Sequence, residues 1–214
     1  QLGYTSSSVW FSLHPKKALL ITNMDGLEWK RSKFSKIVQK FLKTAERWAV
    51  KKSDYLISDS LGIQKHIQKT YNIDSVYIAY GSNNFDTPNE NLLKKYNVEK
   101  ENYNILIARF EPENNLDMIL EGISKASIKI PMLVIGNNET KYGEYLKNKF
   151  ASFKNIRFIG AVYNLEDLNN LRYFSNLYFH GHSVGGTNPS LLEAMGSKAL
   201  IAAHNNDFNR GVLN

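Results

Sequence analysis

Residues 180–196 read HGHSVGGTNPSLLEAMG. They follow a short apolar run, Asn176–His180, of strand character. Gly185-Gly186 is a turn, Asn188 is a helix cap, and Pro189 suits the first helical position. A glycine turn entering a capped helix aims several backbone N–H groups at one spot, and the helix dipole adds partial positive charge there. That spot suits a phosphate. Glu193, one turn into the helix, is placed to reach a polar group on the same ligand. The pattern points to a nucleotide or sugar phosphate. An ordinary strand–turn–helix connection has the same spacing, so the motif alone leaves both readings open.

Working outward, short apolar runs alternate with helical patterns along the chain. Ala18–Asn23, Tyr55–Ser58 and Val76–Ala79 read as strands, and Asp59 or Ser60 caps a helix running to about Lys69. Gly81–Asn89 is rich in turn formers and reads as an interdomain linker. After it the pattern restarts. Strands are expected at Asn104–Ala108, Met132–Ile135, Ile156–Ile159, Leu177–His180 and Ala199–Ala202. Helices are expected at Leu116–Ile123, Tyr142–Phe150, Leu165–Tyr173 and Pro189–Met195. This alternation predicts an α/β fold of parallel sheets with right-handed crossovers, one domain over 1–84 and a second over 85–214. Ligands in such sheets bind beyond the carboxyl ends of the strands. Asp25-Gly26, Arg109, Gly136, Gly160 and His180-Gly-His182 fall at those ends. The chain reaches Asn214 soon after Lys198–Ala203 with no closing helix in the pattern, so it reads as a piece of a longer protein.

Composition narrows the classes. Of 214 residues 43% are hydrophobic, enough for a core, yet no run of about 18 apolar residues occurs to form a spanning helix. With no Cys there are no disulfides, thiol nucleophiles or zinc-thiolate sites, which is compatible with the cytosol. The net charge of +7 is concentrated. Residues 27–52 hold nine basic residues against Glu28 and Glu46, an excess equal to that of the whole chain. Phe34, Ile37, Val38, Phe41, Leu42, Ala45, Trp48 and Ala49 recur there at helical spacing. One face is expected to pack and the other to be basic. That face is either simply solvated or drawn to an anionic membrane surface, where each charge is worth roughly 1 kcal/mol. Nucleic acid fits less well, because Phe34, Phe41 and Trp48 lie on the stripe expected to be core and not on a stacking platform.

Five stretches together resemble the retaining glycosyltransferases of family 4, nearest a bacterial rhamnosyltransferase-like subgroup of polysaccharide assembly. They are ITNMDGLEWKR (21–31), YLISDSLGIQKHI (55–67), YIAYGSN (77–83), IARFEPENN (107–115) and HGHSVGGTNPSLLEAM (180–195). The resemblance implies the GT-B fold. Two Rossmann-like domains with parallel sheets, both incomplete in this chain, would bind acceptor (amino-terminal) and nucleotide-sugar donor (carboxy-terminal). It implies transfer of a sugar, rhamnose or another hexose, from a nucleotide diphosphate to a lipid-linked or polysaccharide acceptor with retained configuration. The fragment alone need not be active, and a non-catalytic nucleotide- or glycan-binding module is the rival reading. The resemblance also implies a cytoplasmic protein, peripheral on the inner leaflet if residues 27–52 meet anionic lipid.

The family's roles map position by position. Arg109 resembles the arginine that pairs with the donor diphosphate, in keeping with the bidentate fit of guanidinium to phosphate. Asn114 stands where the family usually has a lysine. Glu193 matches the second of two motif glutamates, expected at the ribose hydroxyls, while the first would fall at Gly185 and is absent. The N–H groups of Gly186, Thr187 and Asn188 and the side chains of His182 and Thr187 are then candidates for the donor sugar. Gly136 and Phe158–Val162, with Gly160, resemble the base-binding edge. Asp25 stands where many members place a histidine near the reacting sugar; alternatively it caps the basic helix. His180 reads as a satisfied strand-end histidine and His182 as functional. His14, His66 and His204 read as structural or exposed. Glu111 and Glu113, flanking Pro112, read as a solvated turn, with Glu111 able to face the ligand. No Asp-x-Asp triplet occurs, so neither cofactor nor metal is expected.

Overall fold

The structure, a computed structural model, describes residues 2–5, 7–14, 17–126 and 129–213; the chain end at Asn214 lies outside them. It divides into two compact units. The first is Gln1–Tyr80 with Val184–Asn188 and Asn205–Asn214, and the second is Gly81–Ser183 with Pro189–His204. The division therefore falls at Tyr80/Gly81. It also assigns the glycine loop and the last ten residues to the first unit, where a linear boundary at 84 puts both in the second.

The first unit is built on a parallel sheet in the order β1 (Ile21–Met24), β2 (Tyr55–Ser58), β3 (Val76–Tyr77). Ile21 pairs with Tyr55 and Ile57 with Val76. The crossover helices are α1 (Lys36–Lys52) and α2 (Leu61–Tyr71). Each starts at a serine. Ser35 Oγ accepts from the Val38 N–H at 3.4 Å, and Ser60 Oγ accepts from the Ile63 N–H at 3.2 Å. Asp25 therefore does not cap the basic helix. That helix starts at Lys36 and not at 27, because Glu28–Lys30 forms a separate 3-10 turn and Arg31 is extended. β1 starts later than Ala18, since the Leu20 N–H is held by the Asp54 carboxylate at 2.7 Å.

The amphipathic reading of α1 is right in period and off in phase. Leu42, Ala45, Ala49 and Val50 are buried, and so is Glu46. Ile37 is 81% exposed, and Val38, Phe41 and Trp48 are also exposed. Phe41 and Trp48 are thus not core, as the stripe predicted, but pair edge to face on the surface with centroids 6.5 Å apart. The core beneath combines Tyr4, Phe11, Leu20, Met24, Leu27, Leu56, Ile63 and Ile67. A closing helix that the sequence pattern missed, α7 (Asp207–Leu213), adds Phe208 to it.

The second unit is a five-stranded, wholly parallel sheet in the order β6 (Ile156–Gly160), β5 (Met132–Ile135), β4 (Asn104–Ile107), β7 (Leu177–His180), β8 (Ile201–Ala203). The crossovers are α3 (Leu116–Lys125), α4 (Lys141–Lys149), α5 (Leu165–Tyr173) and α6 (Pro189–Gly196). Neighbouring residues of β4 feed opposite layers: Ile105 packs with Leu133, Leu171 and Tyr178, and Leu106 with Leu116, Leu120 and Val134. Both faces are covered, which is why these strands read as continuous apolar runs. The stretch read as a linker is tied down within this unit. Ser82 Oγ donates to the Leu192 C=O at 2.7 Å, the Phe85 N–H donates to the Gly196 C=O at 2.9 Å, and Glu90–Tyr96 is a 3-10 helix.

Candidate functional site

The order β6-β5-β4-β7-β8 reverses at β4, where the chain first winds outward to β5 and β6 and then returns to the other side at β7. The carboxyl ends of β4 and β7 are the switch point, where open α/β sheets bind ligands. Their loops are knitted together. Asn115 Nδ2 donates to the Gly181 C=O at 2.8 Å, and the Ser183 N–H and Oγ both donate to the Glu113 C=O, at 3.1 and 2.7 Å. Arg109 leaves the end of β4 with a side chain 62% exposed, its guanidinium 4.0 Å from Glu111 Oε1. A loosely paired, solvated arginine at a switch point is available to an anionic ligand.

Asn114 is otherwise engaged. It is buried, and its Nδ2 donates to the Arg109 C=O at 2.8 Å. Its side chain is spent on the turn that carries Arg109. Gly136 and Gly160 end adjacent strands, joined by the Gly136 N–H to the Gly160 C=O at 2.9 Å. Gly136 has φ +153°, and a Cβ there would lie 2.0 Å from the Ala108 C=O oxygen, so no larger residue fits.

His180 and His182 stack with centroids 4.4 Å apart. His180 is buried, and neither ring nitrogen has a hydrogen-bond partner among the described residues, so it is not the satisfied histidine expected. Burial, helped by the charge of His182, pushes its pKa down to about 3 and keeps it neutral. Its ring lies stacked between those of Tyr178, at 6.1 Å, and His182.

Glu193 does not stand alone on α6. Its Oε2 accepts from the Arg172 guanidinium at 2.5 Å. Arg172 is only 1% exposed and also donates to Asn169 Oδ1 at 3.1 Å and Ser190 Oγ at 3.3 Å. Sequence reasoning missed Arg172. It sits in the last turn of α5, where a basic residue looks like an ordinary dipole partner. Glu193 keeps about a third of its side chain exposed, so it is oriented by Arg172 and still accessible.

The first unit holds a second constellation. The glycine loop 184–188 lies on residues that follow β1 and β2. A Cβ on Gly26 would come within 3.3 Å of the Gly186 nitrogen, and one on Gly186 within 2.6 Å of Asp59 Oδ2. The Thr187 N–H donates to Asp59 Oδ2 at 3.1 Å, and Thr187 Oγ1 donates to the Asp59 C=O at 2.8 Å. This amide, expected to meet a donor ligand, is already bonded to a carboxylate. The sequence offers Asp59 only as a possible helix cap; Ser60 takes that role and Asp59 is buried. Its carboxyl is pushed up to about 6, chiefly by burial and further by Asp25, against the opposing Thr187 bond. Asp25 itself is exposed. Among the described residues no three His, Cys, Asp or Glu side chains group as metal ligands, and no helix is long and apolar enough to cross a membrane.

HepE of Anabaena, in its complex with UDP, superposes with a TM-score of 0.79 over 97% of this chain and 58% of its own, at 14% identity. The fold is that of the GT-B glycosyltransferases. Sucrose-phosphate synthase from Thermosynechococcus elongatus matches with a TM-score of 0.72 over 94% of this chain and 54% of its own, at 14% identity. A glycosyltransferase from Rickettsia africae matches at 0.65 over 99% of this chain and 64% of its own, at 17% identity. The chain thus spans less than two thirds of each. A family described as a domain of unknown function (DUF1972) matches residues 10–83. No curated protein matches the sequence.

Proposed function

We propose that the chain is part of a family 4 type, retaining glycosyltransferase. It would move rhamnose or another hexose from a nucleotide diphosphate to a lipid-linked or polysaccharide acceptor in bacterial polysaccharide assembly. The observation that carries this reading is the exposed Arg109 guanidinium at the switch point of a GT-B sheet. HepE, which shares the fold, was solved with UDP and with UDP-glucose. In the proposed reaction the diphosphate leaves toward Arg109, which neutralises the growing charge, and Glu193, aimed by Arg172, holds the ribose. Asp25 serves the acceptor side. No resident metal or cofactor belongs to this reading.

The test is calorimetric titration of the chain with UDP, GDP and dTDP. One nucleotide should bind, and Arg109→Ala should weaken it by about 10- to 100-fold, the loss of a charge-assisted pair. Glu193→Gln, which spares the fold better than alanine beside buried Arg172, should weaken it by about tenfold. Unchanged affinity in Arg109→Ala overturns the donor assignment. In the full-length protein, binding without sugar transfer would favour the module reading.

The same proposal places the protein in the cytoplasm, at the inner leaflet of the membrane. The support is α1, where Ile37, Phe41 and Trp48 are exposed among Lys36, Lys40 and Lys43, and where burial of Glu46 removes one of the two acids of residues 27–52 from the surface. Vesicles containing phosphatidylglycerol should bind the chain more tightly than neutral phosphatidylcholine vesicles. Replacing Lys36, Lys40 and Lys43 by Ser should cost about 100-fold, at roughly 1 kcal/mol per charge. Equal binding to both vesicle types overturns the membrane part.

A further inference from the structure

Asp59 is a buried titratable group of the first unit that the proposed reaction leaves unused. It follows β2 directly, is 1% exposed, and spends one carboxylate oxygen on the Thr187 N–H. The other, Oδ1, has no hydrogen-bond partner among the described residues. A second bond ties the same two residues, from Thr187 Oγ1 to the Asp59 backbone oxygen. Gly186, the preceding residue, has no side chain, and it needs none for this contact to form: a Cβ there would collide with both carboxylate oxygens, at 2.6 and 2.8 Å. The sequence therefore places its second loop glycine where a carboxylate must approach the backbone closely.

A surface carboxylate would gain little from one amide. A buried one has surrendered its hydration, and the N–H is then the main group that stabilises its charge. The charged group acting on it is Asp25, beyond the end of β1, which opposes ionisation. The loop, Val184–Asn188, and the first turn of α2, Leu61–Gln64, carry no titratable side chain. The bond between Asp59 and Thr187 is thus strong when Asp59 is ionised and weakened when it takes a proton.

We propose that Asp59 is a positioning residue for the sugar nucleotide: its carboxylate sets the conformation of the Gly185–Asn188 loop through the Thr187 amide, and the loop binds donor only while that bond is made. This rests on the reading of the protein as a glycosyltransferase. It changes the role of Thr187, whose amide is a fixed point of the loop and not a ligand for phosphate. It also gives donor binding a dependence on pH, with affinity present above the pKa of Asp59, about 6, and falling as the pH drops through it.

Two measurements on the same ¹⁵N-labelled chain test it. In the first, the Thr187 amide proton is followed from pH 4.5 to 8. It should shift with a midpoint near 6, and the shift should vanish in Asp59→Asn. In the second, UDP-glucose is titrated at pH 7.5 and pH 5. Wild type should bind about tenfold more weakly at the lower pH. Asp59→Asn should be weaker by about tenfold at pH 7.5 and flat with pH, as expected for loss of one charge-assisted bond. Gly186→Ala, which crowds the carboxylate without altering it, should reproduce the loss. A purely structural Asp59 would leave UDP-glucose affinity independent of pH between 5 and 7.5, and that result overturns the proposal. So does tighter binding by Asp59→Asn, which would make the carboxylate a competitor for the amide. A flat Thr187 shift with normal UDP-glucose binding removes this proposal and leaves the transferase reading standing. Failure of wild type to bind any of UDP, GDP, dTDP or UDP-glucose removes the transferase reading, and this proposal with it.

Discussion

Replacing Glu46 by Ala is expected to destabilise the first unit by about 3–5 kcal/mol, the cost of breaking a buried charge network by deleting one partner. Glu46 lies on α1 at 1% exposure and gathers four partners from three segments, two of them from α2. Oε2 accepts from Trp29 Nε1 at 2.8 Å and from Tyr4 Oη at 3.3 Å. Oε1 accepts from Tyr71 Oη at 2.7 Å and is 3.0 Å from His66 Nε2. Deleting the carboxylate strands these donors in a site closed to water, each at a cost of about 1–3 kcal/mol if nothing replaces the acceptor. Burial pushes the Glu46 pKa up, but the His66, Tyr71 and Trp29 hydrogen bonds outweigh it and hold it below the usual carboxylate range. A depressed carboxylate contributes stability that is present above its unfolded value, about 4.3, and lost as pH falls further. The measurement is convenient, because Trp10, Trp29 and Trp48 all lie in the first unit, so tryptophan fluorescence reports on that unit alone. Urea unfolding at pH 7 should show the midpoint fall sharply in Glu46→Ala and by less in Glu46→Gln, which retains an acceptor. An unchanged midpoint in Glu46→Ala would mean that the network contributes nothing net.

The second large effect belongs to Arg172. Arg172→Met should destabilise the second unit by about 3–5 kcal/mol, because the guanidinium is buried and its removal leaves Glu193 without its cation. Glu193→Gln should cost less, since Glu193 is partly solvated and the amide oxygen can still accept. If the two act as a unit, the double variant should be less destabilised than the sum of the singles, by about 1 kcal/mol or more. Amide exchange in α5 and α6, which carry the pair, is the suitable probe, since no tryptophan lies in this unit. Additive losses would show that Arg172 stabilises through Asn169 and Ser190 instead. Arg172→Met should also weaken nucleotide binding, because Glu193 would lose its orientation, so this one residue links fold stability to the proposed donor site.

Much of the architecture was legible because it is local. Ser60 before an apolar period, the Asn-Pro pair before α6, and the runs NILI, MLVI and LYFH each declare an element within a few residues. All eight strands among the described residues coincide with or fall inside an expected apolar run to within a residue or two. The α1 phase error has a physical origin in the same rule. Periodicity predicts that a stripe is buried, but which edge of the stripe depends on what packs over it. Here Tyr4, Trp29, His66 and Tyr71 supply enough hydrogen bonds to bury Glu46, while Ile37 and Phe41 are left outside.

The site divides along the same line. Arg109, Gly136, Gly160, His182 and Glu193 are candidates the sequence offers because each stands near a strand end or a helix start, positions fixed by local pattern. The bonds of Asp59 to the Thr187 amide, of Arg172 to Glu193 and of Asn114 to the Arg109 C=O have no such local signal. Asp59 meets Thr187 across 128 residues of chain and Arg172 meets Glu193 across 21. The sequence by itself determined two things here: the alternation of strands and helices, and the chemistry placed at the strand ends. The tertiary structure alone decided which polar groups lose their water and which partner each then takes. A group's hydration depends on everything packed around it, and that is not a property of its neighbours in the chain.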